Sequence, residues 1–432
     1  MSLTLSQDQT DAIDGVMATL FGPQNVTEHA VAVLTGSAGT GKTTTVYEIV
    51  NKLSKMLPRP TVQLCATTHR AAAVLKSVVG AEVTTAHSAF KLKPSVTKYG
   101  KEVLKPAGRC DIPMGSVVVI DESSMIGNAF LLAIVETVKA LKLKILFVGD
   151  NYQLPPPKDI CSIFDGSLPV FTLTHVHRQA VNNPILDKAI EYREFIEGRR
   201  STEPGLKTTL NSIGEGITML PHSEFVSSFV KRYMSYDTGA DVEVPLCTYT
   251  NESAINYNTM IRKAAYFLED SIEPYYSGER LVANSIVKQG DTVLLTNNEA
   301  VTVLDYNKGE MLGIPGYHIK VSGVPTKYNP SGQKQVFSPV TTAAADKVLN
   351  ELKKQAIASH SKSGWLEFYE LKNSLADLRP PFAGTTHKAQ GGTFSSVYID
   401  KVNINKCRDP MTRARLFYVA LTRASKNVYI NI

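Results

Sequence analysis

The stretch Ala30-Val31-Ala32-Val33-Leu34-Thr35-Gly36-Ser37-Ala38-Gly39-Thr40-Gly41-Lys42-Thr43 decides the fold of this chain. Residues 30–34 are apolar and favour a β-strand, and residues 44–53 have the spacing of an amphipathic helix. Between them, residues 36–43 match G-x-x-x-x-G-K-[ST], a loop whose backbone N–H groups converge on phosphate oxygens. A chance glycine-rich turn would lack this context, so the motif predicts a nucleoside triphosphate site at a helix N-terminus.

Each part of this motif has an expected role toward the triphosphate and Mg²⁺. Lys42 would reach the β- and γ-phosphates, and the Thr43 hydroxyl would coordinate the metal ion. Gln9 lies in a helix that Ser6 is expected to cap, and its amide could pair with an adenine edge. Taken alone, Gln9 would be a surface residue. The nucleotide-contacting candidates are Gln9, Gly36, Ala38, Gly39, Thr40, Gly41, Lys42, Thr43 and Thr44.

Composition bounds the class of protein. A chain of 432 residues predicts about two to four domains, and 43% apolar with 20% charged residues is typical of a folded protein. No long apolar run and no basic-then-apolar start are present, so we expect neither a membrane span nor a secretory signal. Five scattered cysteines without zinc spacing favour a reducing cytosol. The net charge of +6 permits a nucleic-acid partner but does not require one.

An acidic motif follows the apolar strand candidate at residues 117–120. Asp121 would hold Mg²⁺ directly or through water, and Glu122 would activate the attacking water as general base. The next buried-strand candidate, residues 145–149, precedes Gln153, which could sense the γ-phosphate. The repeated alternation of strand and helix predicts a parallel sheet with polar strand ends along one edge.

Further polar segments follow strand candidates or lie near them. Thr67, Thr68 and His69 come after the strand candidate at residues 61–66, where open α/β sheets bind ligands. Simple helix capping is the alternative interpretation of these residues. Thr85 and His87 are further candidates for contact with nucleic acid.

Residues 91–109 carry a local excess of positive charge, with six basic residues and one acidic residue. β-prone residues flank Lys98-Tyr99-Gly100-Lys101, which favours a β-hairpin over about residues 88–110 with Tyr99 near its tip. The lysines could bind phosphates and the ring could stack on a base at a duplex junction. A solvated charged loop is the alternative.

The second half of the chain contains another change of pattern. The short alternating segments 287–295, 300–304 and 318–321 favour three strands of a small inserted β-barrel. Residues 345–378 are expected to be helical, with a break at residues 361–364. Trp365, Phe368 and Tyr369 are spaced as i, i+3 and i+4, so they form one stripe along that helix. Such a stripe usually belongs to a core, and stacking of Trp365 on bases is the alternative.

Together these motifs resemble those of superfamily 1 helicases, in the B branch that contains RecD-like and Dda-like enzymes. The resemblance rests on four segments that occur in helicase order, which are residues 36–43, 67–69, 121–124 and 149–153. It implies two RecA-like domains that close around ATP and Mg²⁺ while single-stranded DNA crosses both. No carboxylate or metal cluster outside these motifs indicates a fused nuclease.

The resemblance also implies roles for residues of the second half. Arg178 and Arg423 match positions of arginines that stabilise the transferring phosphoryl group. Arg423 follows residues 416–422, which we expect to form a strand. Gln390 and Gly391 would face the nucleotide. The strand-contacting candidates that the resemblance supplies are Thr67, Thr68, His69, Thr250, Asn251, Thr386, His387 and Lys388.

The expected fold class is α/β, with two RecA-like domains, a β-hairpin insertion in the first and an SH3-like β-barrel insertion in the second. The first domain would span residues 1–175, with the hairpin at about 88–110. The second would comprise residues 176–270 and 379–432, interrupted by the barrel and its helical extension at residues 271–378.

The expected activity is ATP hydrolysis coupled to DNA unwinding, with 5′→3′ polarity implied by the branch alone. The expected partners are single-stranded DNA and duplex junctions, with single-strand-binding or replication proteins as further candidates. We expect a monomer in a bacterial or phage-infected cytoplasm, acting in replication or recombination. Two alternatives remain: a translocase that displaces bound proteins with little unwinding, and a nucleotide-binding module that binds DNA without turnover.

Overall fold

Two six-stranded sheets form the framework of the molecule, which is known here from a computed structural model. The strands of each sheet carry helices between them, which is the α/β alternation that the sequence predicts. The structure describes residues 5–22, 30–56, 58–97, 99, 102–106, 108–156, 159–175, 183–234, 245–265, 273–290, 292–323, 329 and 331–432.

The first sheet is built from the first 173 residues. Its elements, in chain order, are α1 (Gln7–Phe21), β1 (Ala30–Gly36), α2 (Lys42–Ser54), β2 (Val62–Ala66), α3 (His69–Val79), β3 (Val83–Thr85), α4 (Ala86–Ala89), β4 (Leu92–Val96), β5 (Glu102–Pro106), β6 (Val117–Asp121), α5 (Asn128–Leu141), β7 (Lys144–Gly149) and β8 (Val170–Leu173). The strand order is β3-β2-β6-β7-β1-β8, and every pair in it is parallel.

The apolar strands of this sheet are buried because helices cover both faces. Residues 117–120 of β6 are completely buried, and so is nearly all of β1. Ser6 caps α1, as predicted, and also forms a capping box with Gln9. Since all six strands run the same way, their carboxyl ends meet at one edge, where Ala66 pairs with Asp121 and Thr35 pairs with Gly149.

A two-stranded hairpin leaves the first sheet between α4 and β6. Strands β4 and β5 are antiparallel, with Leu92 opposite Pro106 and Val96 opposite Glu102. The base of the hairpin is anchored because Leu92 is buried in the same apolar cluster as Phe90. Tyr99, between the two strands, is 76% exposed.

The second sheet collects strands from both ends of the remaining chain. Its order is β19-β11-β20-β21-β10-β9, parallel except for the last pair. The elements from here to the C-terminus are α6 (Pro184–Ile196), β9 (Thr209–Leu210), β10 (Gly216–Leu220), α7 (His222–Met234), β11 (Leu246–Thr248), α8 (Asn251–Ala265), β12 (Arg280–Ala283), β13 (Val287–Gln289), β14 (Thr292–Leu295), β15 (Ala300–Met311), β16 (Ile314–Ser322), β17 (Gln333–Pro339), α9 (Thr342–Ser359), α10 (Lys362–Ser374), β18 (Leu378–Arg379), β19 (Ala383–Thr385), β20 (Phe394–Ile399), α11 (Lys401–Ile404), α12 (Pro410–Thr422) and β21 (Ala424–Asn431).

An antiparallel sheet lies between α8 and β19 in the chain. Its strands follow the order β17-β16-β15-β12-β18, and β13 and β14 form a separate pair. The prediction of one strand over residues 287–295 is wrong, because Gly290 adopts φ 58° and turns the chain into a hairpin. The assignment of these strands to an SH3-like barrel stays a prediction.

Helices α9 and α10 pack against each other beyond this sheet, and α10 also contacts β4 of the hairpin. A helix break is present near the predicted residues 361–364, but it lies at residues 360–361, since α9 ends at Ser359 and α10 begins at Lys362. Among the helices that the structure describes, none has the length and apolarity that a bilayer span requires.

The segment before Arg423 corrects a second prediction. Residues 410–422 form the helix α12 and not a strand, with Asp409 as N-cap and Pro410 in the first turn. Residues 416–421 are buried all round, so their apolar run shows neither a helical nor an alternating period. Arg423 therefore terminates a helix, and β21 starts directly after it.

Candidate active site at the strand edges

The loop after β1 curls around the side chain of Lys42. Its ammonium group donates to the main-chain oxygens of Gly36 (2.7 Å) and Ser37 (3.1 Å). A Cβ on Gly36 would lie 2.5 Å from the Thr40 hydroxyl, so only glycine fits there. Gly41 adopts φ 79° immediately before α2, which points the free N–H groups of the first helical turn into the loop. This geometry is suited to an anion.

Gln9 is buried against the same loop, so its interpretation as a surface residue is wrong. Its amide nitrogen donates to the main-chain oxygen of Thr40 (3.4 Å), and its amide oxygen accepts from the Ser6 N–H (3.0 Å). The capping box therefore holds the amide beside the loop. Pairing with an adenine edge would have to use the remaining donor and acceptor capacity of this amide.

Two carboxylates stand at the end of β6. The Glu122 N–H donates to the Asp121 carboxylate (2.8 Å), and Glu122 has a left-handed backbone with φ 53°. Burial raises the pKa of Asp121, and the neighbouring Glu122 charge raises it further, while Lys42 acts in the opposite direction. Asp121 thus lies in a poorly solvated corner, with a second acidic group and one ammonium group near it.

The oxygen donors at this corner fit Mg²⁺. Asp121 supplies a carboxylate and Thr43, in the first turn of α2, supplies a hydroxyl. Mg²⁺ is usually held by one or two carboxylates together with substrate phosphates, not by a cage of side chains. The described residues include no cluster of three or more His, Cys, Asp or Glu that could hold a metal by itself.

The segment after β2 touches the acidic pair. The Thr67 N–H donates to the Asp121 main-chain oxygen (3.2 Å), and the Thr67 hydroxyl donates to that of Glu122 (3.0 Å). Thr68 caps α3 by accepting from the Ala71 N–H (3.1 Å). Capping therefore explains Thr68 locally, whereas Thr67 connects two strand ends. His69 begins α3 and is exposed.

Residues of the second sheet close over this edge. The Gln390 amide donates to the Gln153 side chain (3.3 Å) and to the Leu154 main-chain oxygen (3.3 Å). Gly391 adopts φ 77°, and a Cβ there would approach Ala71 to 3.8 Å. The structure thus brings Gln153 and Gln390 together, although 237 residues separate them in the chain.

Two residues of α12 that the sequence analysis did not single out reach the first sheet. The Tyr418 hydroxyl donates to the Asp150 carboxylate (2.8 Å) and accepts from the Ala38 N–H (3.4 Å). Arg415, one turn earlier, donates to the main-chain oxygens of Asn151 (2.5 Å) and Gln153 (2.8 Å). A hydroxyl inside the otherwise apolar run 416–421 is the one sequence signal that could have identified Tyr418.

Arg423 is engaged within the second sheet. Its guanidinium donates to the main-chain oxygens of Val419 (3.3 Å) and Gly392 (3.1 Å) and to the Thr422 hydroxyl (3.3 Å). Contact with a phosphoryl group would require these bonds to be exchanged. Arg178 lies outside the described residues.

The polar end of β11 is held by a side chain that the sequence analysis missed. The Asn403 carbonyl accepts from the N–H groups of Tyr249 (2.8 Å) and Thr250 (2.9 Å), and its amide donates to the Thr250 hydroxyl (3.0 Å). Asn251 is exposed and accepts from Arg379 (3.2 Å). Asn403 thus positions Thr250, and Arg379 adds a cation beside Asn251.

The segment 386–388 divides into a buried residue and two partly exposed ones. Thr386 is completely buried and donates to the Thr248 main-chain oxygen (3.1 Å), so its hydroxyl supports the loop and does not face a ligand. Burial lowers the pKa of His387. Burial, followed by the charge of Arg379, lowers the pKa of Lys388 to about 8.

Three candidates near the hairpin have different surroundings. Thr85 caps α4 by accepting from the Ser88 N–H (3.3 Å) and is buried. His87 stacks on Phe130 with ring centroids 4.0 Å apart, and desolvation lowers its pKa. Tyr99 presents most of its ring to solvent.

Trp365 lies in the core, as the more common interpretation of its stripe predicts. It is 5% exposed and packs on Ala356, with Phe368 and Tyr369 at centroid distances of 5.8 and 6.4 Å. Gly364 permits this packing, because a Cβ there would lie 3.0 Å from the Ala356 Cα. Base stacking by Trp365 would require α9 and α10 to separate, so we do not retain it among the strand contacts.

The fold and site define a P-loop nucleoside triphosphatase in which residues from two α/β sheets meet at one cleft. Residues 4–198 match the family described as AAA domain, and residues 381–431 match the UvrD-like helicase C-terminal domain. In these comparisons the chain is similar to superfamily 1 helicases of the RecD-like B branch.

Individual relatives are similar at low identity. The ATP-dependent RecD2 DNA helicase of Deinococcus radiodurans is 26% identical over 422 residues, which are 97% of this chain and 48% of that protein. The chain therefore spans about half the length of that relative. The ATP-dependent DNA helicase Dda of enterobacteria phage T4 is 24% identical over 98% of both chains. A crystal structure of Pif1 helicase from Candida albicans aligns with 99% of this chain and 95% of that chain, at 17% identity and a TM-score of 0.41.

Proposed function

We propose that this protein is an ATP-dependent DNA helicase that moves along single-stranded DNA. The observation that carries the proposal is the cleft itself. The loop 36–43 and the acidic pair come from one sheet, while Gln390 and Tyr418 come from the other. A site divided in this way makes the distance between two domains depend on the bound nucleotide, which is what a translocating enzyme needs.

In this proposal Lys42 exchanges its bonds to Gly36 and Ser37 for bonds to the β- and γ-phosphates, and the N–H groups at the start of α2 bind the phosphate oxygens. Thr43 and Asp121 hold Mg²⁺, which neutralises charge on the phosphates. Glu122 orients the attacking water and accepts its proton.

The cationic side chains of the second half complete the proposed site. Arg423 exchanges its bonds within the second sheet for a phosphate oxygen, and Arg178 supplies a second positive charge. Gln390 donates to Gln153 across the two sheets (3.3 Å), which favours a role of this pair in sensing the γ-phosphate.

The DNA strand is proposed to cross the carboxyl edges of both sheets. Thr67 and His69 lie on the first sheet, and Asn251, His387 and Lys388 lie on the second. Closing and opening of the cleft would alternate the grip between these two groups. The domain limits given above, residues 1–175 and residues 176–270 with 379–432, are part of the same proposal.

The hairpin of β4 and β5 is proposed to separate the duplex. Its Tyr99 is exposed, and α10 contacts β4. An exposed ring between cationic strands is suited to stacking on the last base pair. The 5′→3′ polarity is carried over from the family and is part of what must be tested.

The decisive experiment measures unwinding of matched DNA duplexes that carry a 5′ or a 3′ single-stranded tail, with RNA duplexes alongside. We expect ATP-dependent opening of the DNA with a 5′ tail, and none with the Lys42→Ala variant. Removal of a protein block without duplex opening would favour the translocase alternative. Absence of DNA-stimulated ATP hydrolysis would overturn the proposal as a whole.

A further inference from the structure

Tyr418 links three parts of the cleft through one hydroxyl group. This hydroxyl donates to the Asp150 carboxylate at 2.8 Å and accepts from the Ala38 N–H at 3.4 Å. Tyr418, on α12, and Asp150, at the end of β7, are both buried. Ala38 belongs to the phosphate loop.

The Asp150 carboxylate has a second bond, since its other oxygen accepts from the Tyr152 N–H (3.0 Å). Asp150 therefore holds both the Tyr418 hydroxyl and the start of the segment 151–153. Burial, and after it the Asp150 charge, raises the pKa of Tyr418 well above its usual value, so the hydroxyl keeps its proton and donates to Asp150.

The N–H of Ala38 is one of the loop donors that a bound phosphate could use. A phosphate oxygen is a charged acceptor and forms a stronger hydrogen bond than a phenolic oxygen does. Binding of the triphosphate and contact with Tyr418 thus compete for the same N–H, whereas Arg415 holds residues 151 and 153 by bonds that do not involve the loop.

We propose that Tyr418 is a positioning residue that couples occupation of the phosphate loop to the position of α12, and of the segment 150–153 that α12 holds, relative to that loop. When a phosphate oxygen takes the Ala38 N–H, the hydroxyl retains only Asp150, and α12 can shift relative to the loop. This inference rests on the proposed function, and it adds a residue of the second domain that responds to the nucleotide without touching the attacking water.

The test replaces Tyr418 by Phe, which removes the competing oxygen and keeps the ring. We expect a KM for ATP lowered by about two- to tenfold, the range that the net strength of one hydrogen bond allows. The stimulation of ATP hydrolysis by single-stranded DNA should fall by a similar factor, because the signal to α12 is weakened. A purely structural role would instead raise KM and lower thermal stability together.

The matched control is Tyr398→Phe. Tyr398 is also completely buried, and its hydroxyl bonds to Ser228 of α7 (2.8 Å). The variant loses this bond, which does not involve the phosphate loop. It should leave KM and the DNA stimulation unchanged. In an Asp150→Asn background, Tyr418→Phe should change KM and the DNA stimulation less than it does in the wild type, because both substitutions act on the same pair of residues. Fully additive effects of the two substitutions would overturn the inference.

Binding of a fluorescent ATP analogue, measured without DNA, separates this inference from the proposed function. If the wild-type chain binds the analogue but shows no DNA-stimulated turnover, the helicase proposal fails while the loop contact remains testable. If Tyr418→Phe then binds the analogue no more tightly than the wild type, the competition between hydroxyl and phosphate is refuted.

Discussion

The hydroxyl of Thr67 donates a 3.0 Å hydrogen bond to the main-chain oxygen of Glu122. Thr67 stands at the edge where we propose that DNA crosses, and Glu122 is the proposed general base. The backbone of Glu122 has φ 53°, a left-handed conformation that non-glycine residues adopt only when their surroundings support it. A DNA strand that pressed on Thr67 would therefore act on a carbonyl group whose conformation sets the direction of the proposed catalytic carboxylate.

Replacing Thr67 by Val should weaken this link while retaining the shape of the side chain. We expect the stimulation of ATP hydrolysis by DNA to fall by roughly two- to tenfold, which corresponds to one net hydrogen bond. The rate without DNA should change less. Thr84→Val, at an exposed position of β3, is the control. Equal losses with and without DNA would contradict the proposed link.

Replacing Lys42 by Ala should abolish ATP hydrolysis and spare DNA binding. The ammonium group is the cation that the loop surrounds, and loss of one preorganised charge-stabilising group typically costs about 10²–10³-fold in kcat. ATP hydrolysis and DNA affinity would be measured on the same preparation. Lys52→Ala removes an exposed lysine of α2 that pairs with Asp14, and it should be neutral. Retained turnover in Lys42→Ala would refute the phosphate assignment.

Replacing Glu122 by Gln should trap bound ATP and strengthen the hold on DNA. A general base contributes about 10²–10⁴-fold to the rate, so turnover should fall within that range. The trapped state is measured as slow release of nucleotide from the DNA complex, monitored by filter binding. Glu82→Gln, at an exposed ion pair with Lys76, controls for the change of charge. Normal hydrolysis by Glu122→Gln would remove this residue from the proposed mechanism.

Replacing Tyr99 by Ala should slow unwinding more than translocation. Stacking of a base on an aromatic ring contributes about 1–3 kcal/mol, which is enough to slow strand separation by about tenfold or more. Strand displacement and translocation on single-stranded DNA are compared in parallel. Met114→Ala removes another exposed apolar side chain of the same sheet region, and it should affect neither. Losses of equal size in both assays would favour the alternative that this segment is a solvated charged loop.

Affinity for single-stranded DNA should fall as the pH rises from 7 to 9. The pKa of Lys388 is lowered to about 8, so its ammonium group is protonated below that value and loses its charge above it. Only the protonated form attracts a phosphate. A bound phosphate raises this pKa, so the loss should appear at higher pH in the complex than in the free protein. The measurement is DNA affinity at fixed salt over this pH range.

The Lys388→Met variant should bind DNA more weakly at pH 7 and show a smaller change with pH. The matched control is Lys426→Met, because the Lys426 side chain is 61% exposed. This variant should keep the wild-type pH profile. An unchanged pH profile in Lys388→Met would show that another group titrates.

The local elements of this protein follow from its sequence with few errors. The N-cap Ser6, the loop before α2 and the buried strand β6 occur where the residue patterns predict them. Each depends on neighbours a few residues apart, so the signal is contained in a short segment. The two corrected predictions, at residues 287–295 and 416–422, involve a glycine turn inside an alternating run and a helix that is apolar on every side.

The sequence alone determined the phosphate loop, the acidic pair and the parallel order of strand and helix, because those features are encoded by adjacent residues. Only the tertiary structure decided which partners complete the cleft. Tyr418 and Asp150 are 268 residues apart, and no local period records their contact. The same holds for Trp365 and Thr386, whose burial depends on how separate elements pack and not on their own neighbours in the chain.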